Sequence, residues 1–167
     1  IEDRVMAPLP VWLIAGEKIV SGAIQALIAA IVVLPFVYLI PLTPVHLSFH
    51  WLEVLTVTPL ACLLGASLGL TIGTRIEPRQ VPLLFSVIVL PMTFLGCAYY
   101  PWKSLQAIKW LQYLVLVNPL VYMSEGLRMS MTNIPHMATW GIYAALIAFT
   151  ALLAALGITG FKKRVLS

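Results

Sequence analysis

Charge is what this chain is short of. Only 10% of its 167 residues are Asp, Glu, Lys or Arg, against about a quarter in an ordinary soluble domain. That deficit excludes a soluble globular fold, because the apolar runs between the few charged clusters are long enough to cross a bilayer. Cysteine is scarce too: Cys62 and Cys97 are the only two. Both fall inside apolar runs, where a free thiol behaves as a small hydrophobe, so neither a disulfide framework nor a thiolate metal site is indicated. The sequence contains no G-x-x-x-x-G-K-[ST] phosphate loop and no His-Glu-x-x-His zinc motif.

What fills the chain instead is apolar. The hydrophobic fraction is 61% and the mean hydropathy +1.00, the composition of an integral membrane protein. The formal net charge is +4. In a soluble protein that would raise the question of nucleic acid. Here the basic residues flank apolar spans and read as topology signals, with no nucleic-acid partner. The polar opening Ile1-Glu2-Asp3-Arg4, without an initiating methionine, reads as a fragment or a processed product.

Four spans are expected, over 19–40, 52–74, 81–100 and 140–161, with 1–18 as a polar loop before them. In the second, Ala61, Gly65, Gly69 and Gly73 recur every four residues and should present a smooth face for close helix packing in lipid. In the third, Pro91 predicts a kink and freed carbonyls. If the start, the 75–80 turn and the C-terminus share a side, that side holds Arg4, Lys18, Arg75, Arg79, Lys162, Lys163 and Arg164. The other side holds only Lys103, Lys109 and Arg128. The imbalance places both ends in the cytoplasm, and an additional crossing through 105–123 would put the final basic cluster outside. Tyr38, Trp51, Tyr99, Tyr100, Trp102, Trp110, Tyr113, Tyr122, Trp140 and Tyr143 then form an outer aromatic belt.

The stretch 101–131 fits none of these spans. An amphipathic helix is expected over 104–117, Asn118-Pro119 breaks it, and a second short helix carries Glu125 and Arg128. It reads as a re-entrant helical hairpin dipping into the outer leaflet. The expected fold class is therefore an all-α integral membrane protein with four transmembrane helices and a re-entrant outer-leaflet hairpin.

The phrases GCAYYP at 96–101 and NPLVYMSEGLR at 118–128 resemble the permease subunits of type-2 ABC exporters. In that family a "sGvffP" phrase and a hairpin ending "NPl-Y-x-x-E-x-x-R" join the fifth and sixth membrane helices. The first phrase departs from the pattern at Cys97 and the two tyrosines, and the second matches closely. The resemblance implies that the four spans are helices three to six of a six-helix permease. It further implies a multi-pass protein of the plasma (inner) membrane, working with an ATP-binding cassette ATPase subunit and a second permease copy, as homo- or heterodimer. ATP and Mg would then sit on the partner and no cofactor in this chain, which performs transport and no enzymatic reaction. The substrate would be an amphipathic drug, a lipid or a glycan-linked molecule moving outward.

Several residues follow as candidates. Glu125 and Arg128, three apart on a helix, can pair on one face and brace the hairpin at the Asn118-Pro119 break. The resemblance implies that Glu2, Asp3, Arg4 and Pro8 receive force from the ATPase, and that Phe85, Thr93 and Phe94 face the substrate path. His46, His50, Glu53 and His136 share the outer side, where a metal site would need ligands on one helical face; Pro44 argues for a loop instead. Two other readings remain open: a membrane-embedded enzyme using those His and Glu residues, and a non-transporting membrane scaffold.

Overall fold

The computed structural model describes residues 10–40 and 47–166. Among the described residues the regular structure is helical throughout. Helix α1 is Val11–Leu39. It starts well before residue 19, so the second half of the expected 1–18 loop is helix. The reason is that Glu17 and Lys18 end an apolar span without being helix breakers; Ile14 and Ala15 are buried one turn before them. Helix α2, Trp51–Arg75, extends the expected second span by one residue at each end.

The third expected span, 81–100, is shorter than its sequence implied. Helix α3 covers Val81–Phe94, about 21 Å at 1.5 Å per residue, short of the roughly 30 Å hydrocarbon core. Its middle, Phe85–Val89, is π-helical, with Leu90 N–H donating to Phe85 O. This wider turn directly precedes Pro91, which has no N–H to continue the regular ladder. Past Phe94 the chain turns at Gly96, and Cys97 takes a positive φ of 55°, which a continuing right-handed helix does not allow.

The expected 104–117 helix is divided into a 3-10 segment at Trp102–Ala107, α4 at Lys109–Leu114 and a 3-10 turn at Val115–Val117. Helix α5, Pro119–Met131, and helix α6, Thr139–Leu166, complete the chain. Among the described residues three helices, α1, α2 and α6, are long and apolar enough to cross a membrane.

Helix α2 is the hub: α6, α1 and α5 all pack on it, and α5 also packs on α6. Val57 and Leu64 of α2, Met129 of α5, and Ile142 and Leu146 of α6 form the main core. The tightest approaches are made by glycines. A Cβ on Gly160 would stand 2.7 Å from Thr74 Oγ1, and one on Gly157 3.2 Å from Leu70 Cγ. Close backbones also allow Thr71 Oγ1 to donate to Leu153 O at 2.7 Å across the α2–α6 seam. Of the repeated small residues on α2, Ala61 is buried and a Cβ added to Gly65 would stand 3.7 Å from Met123 Cε. Gly69 and Gly73 have nothing within 4 Å of an added Cβ, so the smooth face ends in open space rather than against a helix. Outside the core, Ile24, Ile28, Ile31 and Val32 of α1 and Leu83, Phe85 and Val87 of α3 are exposed, as expected for surfaces solvated by lipid.

Candidate functional site: a buried ion pair at one end of the bundle

Within the segment from Trp102 to Met131, Asn118 is extended and separates the 3-10 turn at Val115–Val117 from α5. Pro at the first position of α5 has a fixed φ suited to a helix start, and its missing N–H would have been unpartnered there anyway. Asn118 caps the helix: its Oδ1 accepts from Leu120 N–H at 3.0 Å. Its Nδ2 donates to Met92 O at 2.6 Å, tying the start of α5 to α3. Tyr122 donates its hydroxyl back to Leu116 O at 3.0 Å, closing the second arm on the first.

The turn is held at close quarters. A Cβ on Gly96 would lie 2.8 Å from Leu120 Cβ and 3.0 Å from Met92 O, so only glycine lets the end of α3 approach the start of α5. Cys97, Val115 and Val121 are buried together beneath Trp102, Leu105 and Leu111. On its other side α5 is pressed into the bundle at Gly126, where a Cβ would stand 2.7 Å from Val57 Cγ1 and 3.2 Å from Ile142 Cγ2.

At the centre is Glu125, with 0% exposure. Its Oε1 accepts from Trp102 N–H at 2.9 Å and from Arg128 Nη1 in a short ion pair. Its Oε2 accepts from Met137 N–H at 2.9 Å. Arg128 Nη2 donates to Cys97 O at 2.9 Å. One ion pair thus joins four separate pieces of chain: the turn after α3, the 3-10 segment that begins at Trp102, α5, and the loop leading into α6. Each carboxylate oxygen has a donor, which is the condition under which a buried charge is tolerated.

The same end of the bundle has a polar rim. Ser48 and His50 donate backbone N–H groups to Met131 O and Ser130 O at 3.1 and 2.9 Å, and Thr56 Oγ1 meets Tyr143 OH at 2.6 Å. His50, Glu53 and His136 line one cleft of about 360 Å³ with Lys103. Among the described residues no group of three or more His, Cys, Asp or Glu side chains is arranged to hold a metal ion. Phe85 and Phe94 of α3 are exposed, Phe94 leaning on Tyr99 with ring centroids 5.6 Å apart. Thr93 Oγ1 is bonded to Val89 O at 2.7 Å. Glu2, Asp3, Arg4, Pro8 and His46 lie outside the described residues.

Several partners in this assembly had no side-chain signature. Trp102 N–H, Met137 N–H, Cys97 O and Met92 O are main-chain groups, and only the fold brings them to Glu125, Arg128 and Asn118. Gly96 and Gly126, inside the GCAYYP and EGLR phrases, are the glycines at its close approaches.

A family model described as ABC-2 type transporter matches residues 1–132. The inner membrane transport permease YadH of Escherichia coli K12 is 27% identical over 152 residues, covering 88% of this chain and 57% of its own length. YadH of Shigella flexneri matches to the same extent. The chain thus spans a little over half the length of these curated relatives. No solved structure matches.

Proposed function

Since the chain belongs to the ABC-2 type transporter family, we propose that it is the permease subunit of an ATP-driven exporter, moving an amphipathic drug, lipid or glycan-linked substrate outward across the inner membrane. In this reading α1, α2, α3 and α6 are the four crossings of one transmembrane domain, α3 completed by the 95–100 turn, and 101–131 is a re-entrant hairpin in the outer leaflet. Both ends of the chain face the cytoplasm. Support for that orientation comes from charge: Arg75, Lys163 and Arg164 gather at one end of the bundle, and the hairpin lies at the other.

The observation that carries the proposal is the Glu125–Arg128 brace. An ionised carboxylate buried as completely as Glu125 is costly at membrane depth, and its pairing with Arg128 fastens the hairpin both to the turn after α3 and to the base of α6. It lets the hairpin move as one body with those helices. A rigid cap of that kind can close the outer end of a path between permease copies and open it when the helices shift. ATP hydrolysis would occur on a partner ATP-binding subunit, contacting Glu2, Asp3, Arg4 and Pro8. A second permease copy would complete the path along Phe85, Thr93 and Phe94, whose helix has an exposed apolar flank.

The test is reconstitution of the full-length protein with its co-expressed ATP-binding subunit, followed by measurement of ATP-dependent efflux of amphipathic dyes and labelled lipids. The expected result is efflux that stops when the ATPase is inactivated. Stable assembly with other membrane proteins but no ATP-dependent movement of any such solute would favour a scaffold and reject the proposal.

A further inference from the structure

At the end of the bundle opposite the hairpin, two cavities adjoin. One, of about 520 Å³, is polar and basic, lined by Thr74, Arg75, Thr159, Gly160, Lys163 and Arg164. The other, of about 780 Å³, is an apolar trench between α2, the start of α3 and the end of α6. Gly69 and Gly73 lie along it, with Leu84, Phe85 and Phe161 among its walls. Thr74 and Arg164 belong to both, so a cationic cleft and an apolar trench adjoin at those two side chains.

Arg164 is fixed at the seam. Its Nη1 donates to Gly73 O at 2.7 Å and to Ile76 O at 3.3 Å, completing carbonyls at the C-terminal end of α2 that the helix cannot satisfy itself. Its Nη2 takes no part in those bonds. No acidic side chain is among the described residues lining either cavity. Glu77, the acidic residue nearest to Arg75 in sequence, stands outside both linings. The trench is open because Gly69 and Gly73 carry no side chain, and an added Cβ at either would meet nothing within 4 Å.

We propose that this composite cavity binds one anionic glycerophospholipid, with its phosphate among Arg75, Lys163 and Arg164 and an acyl chain in the glycine-lined trench. Basic pockets between membrane helices suit acidic lipid headgroups, and each Lys or Arg near the membrane surface attracts them. A second copy of the chain fits poorly. A two-fold contact brings the same patch against itself, and three cations would meet three cations. The proposal depends on the membrane placement of the chain and not on export, so failure of efflux leaves it standing.

The experiment is native mass spectrometry on the full-length protein, delipidated in detergent and titrated with phosphatidylglycerol or with phosphatidylcholine of identical acyl chains. The first phosphatidylglycerol is expected to bind about tenfold more tightly than phosphatidylcholine. The double variant Arg75→Gln/Lys163→Gln, which leaves Arg164 and its bonds to α2 in place, should reduce that preference several-fold while phosphatidylcholine binding changes little. Gly69→Leu should weaken both lipids, because its side chain fills the trench. Equal affinity for the two lipids in the unmodified protein would overturn the proposal. So would a preference that the double variant leaves undiminished, or a cavity that retains no lipid because another protein segment fills it.

Discussion

Replacing Glu125 by Gln removes one charge and almost no volume, and so isolates what the brace contributes. The amide can keep its oxygen toward Trp102 N–H and Arg128, but its NH₂ then faces Met137 N–H, which now donates to Glu125 Oε2 at 2.9 Å. Two donors oppose each other there, and leaving a buried donor unpaired costs about 1–3 kcal/mol. Arg128, whose side chain is only 12% exposed, also loses its counter-charge. Breaking a buried pair from one side typically costs about 3–5 kcal/mol in total, a large share of the roughly 5–15 kcal/mol that holds a typical domain folded. At about 2–4 °C per kcal/mol for a chain of this size, the melting temperature of purified Glu125→Gln should fall by about 10 °C, read by fluorescence-detected size exclusion after heating. Arg128→Ala should likewise impair folding or insertion. The double variant Glu125→Gln/Arg128→Met should recover a substantial part of the loss, because it leaves no charge uncompensated. A Glu125→Gln protein that melts within about 2 °C of the unmodified one, less than about 1 kcal/mol, would refute the argument that the pair is a structural brace.

The remaining expectations concern the close approaches around it. Gly126→Ala should destabilise by about 1–3 kcal/mol, since its Cβ would lie 2.7 Å from Val57 Cγ1 and a β-branched neighbour has little freedom to turn away. Gly65→Ala, whose Cβ would stand an ordinary 3.7 Å from Met123 Cε, should change the melting temperature little; similar losses at the two sites would contradict the packing described. Gly96→Ala should separate the end of α3 from Leu120, 2.8 Å from its Cβ, and raise proteolysis at the 95–101 turn relative to the unmodified protein. Asn118→Ala should cost about 1–2 kcal/mol through the lost cap. Asn118→Asp should keep the acceptor for Leu120 N–H yet be at least as damaging, because its carboxylate would face Met92 O; equal thermal stability of Asn118→Asp and the unmodified protein would exclude that contact.

Sequence by itself determined the solvent of this protein and the places where its helices could run. Apolar length and scarce charge are properties of contiguous residues, so Trp51–Arg75 and Thr139–Leu166 could be read within a few positions. The break at Asn118-Pro119 was legible for the same reason, since a proline fixes its own φ and restricts the residue before it. The spacing of Glu125 and Arg128 put them on one helical face before any fold was known. Tertiary structure decided the rest. Glu125 is joined to Trp102 and Met137, 23 and 12 residues away, through backbone groups that carry no residue-type signal. The glycine pattern on α2 was read as one packing face, but only the position of the neighbouring helices divides it. At Ala61 and Gly65 it meets protein, and at Gly69 and Gly73 it borders an open cavity. Helix α3 stops at Phe94 rather than near Tyr100 because Gly96 must pass close to Leu120 and Cys97 must turn to a positive φ. Local chemistry sets what a segment can be, whereas close contact depends on which distant segment arrives beside it.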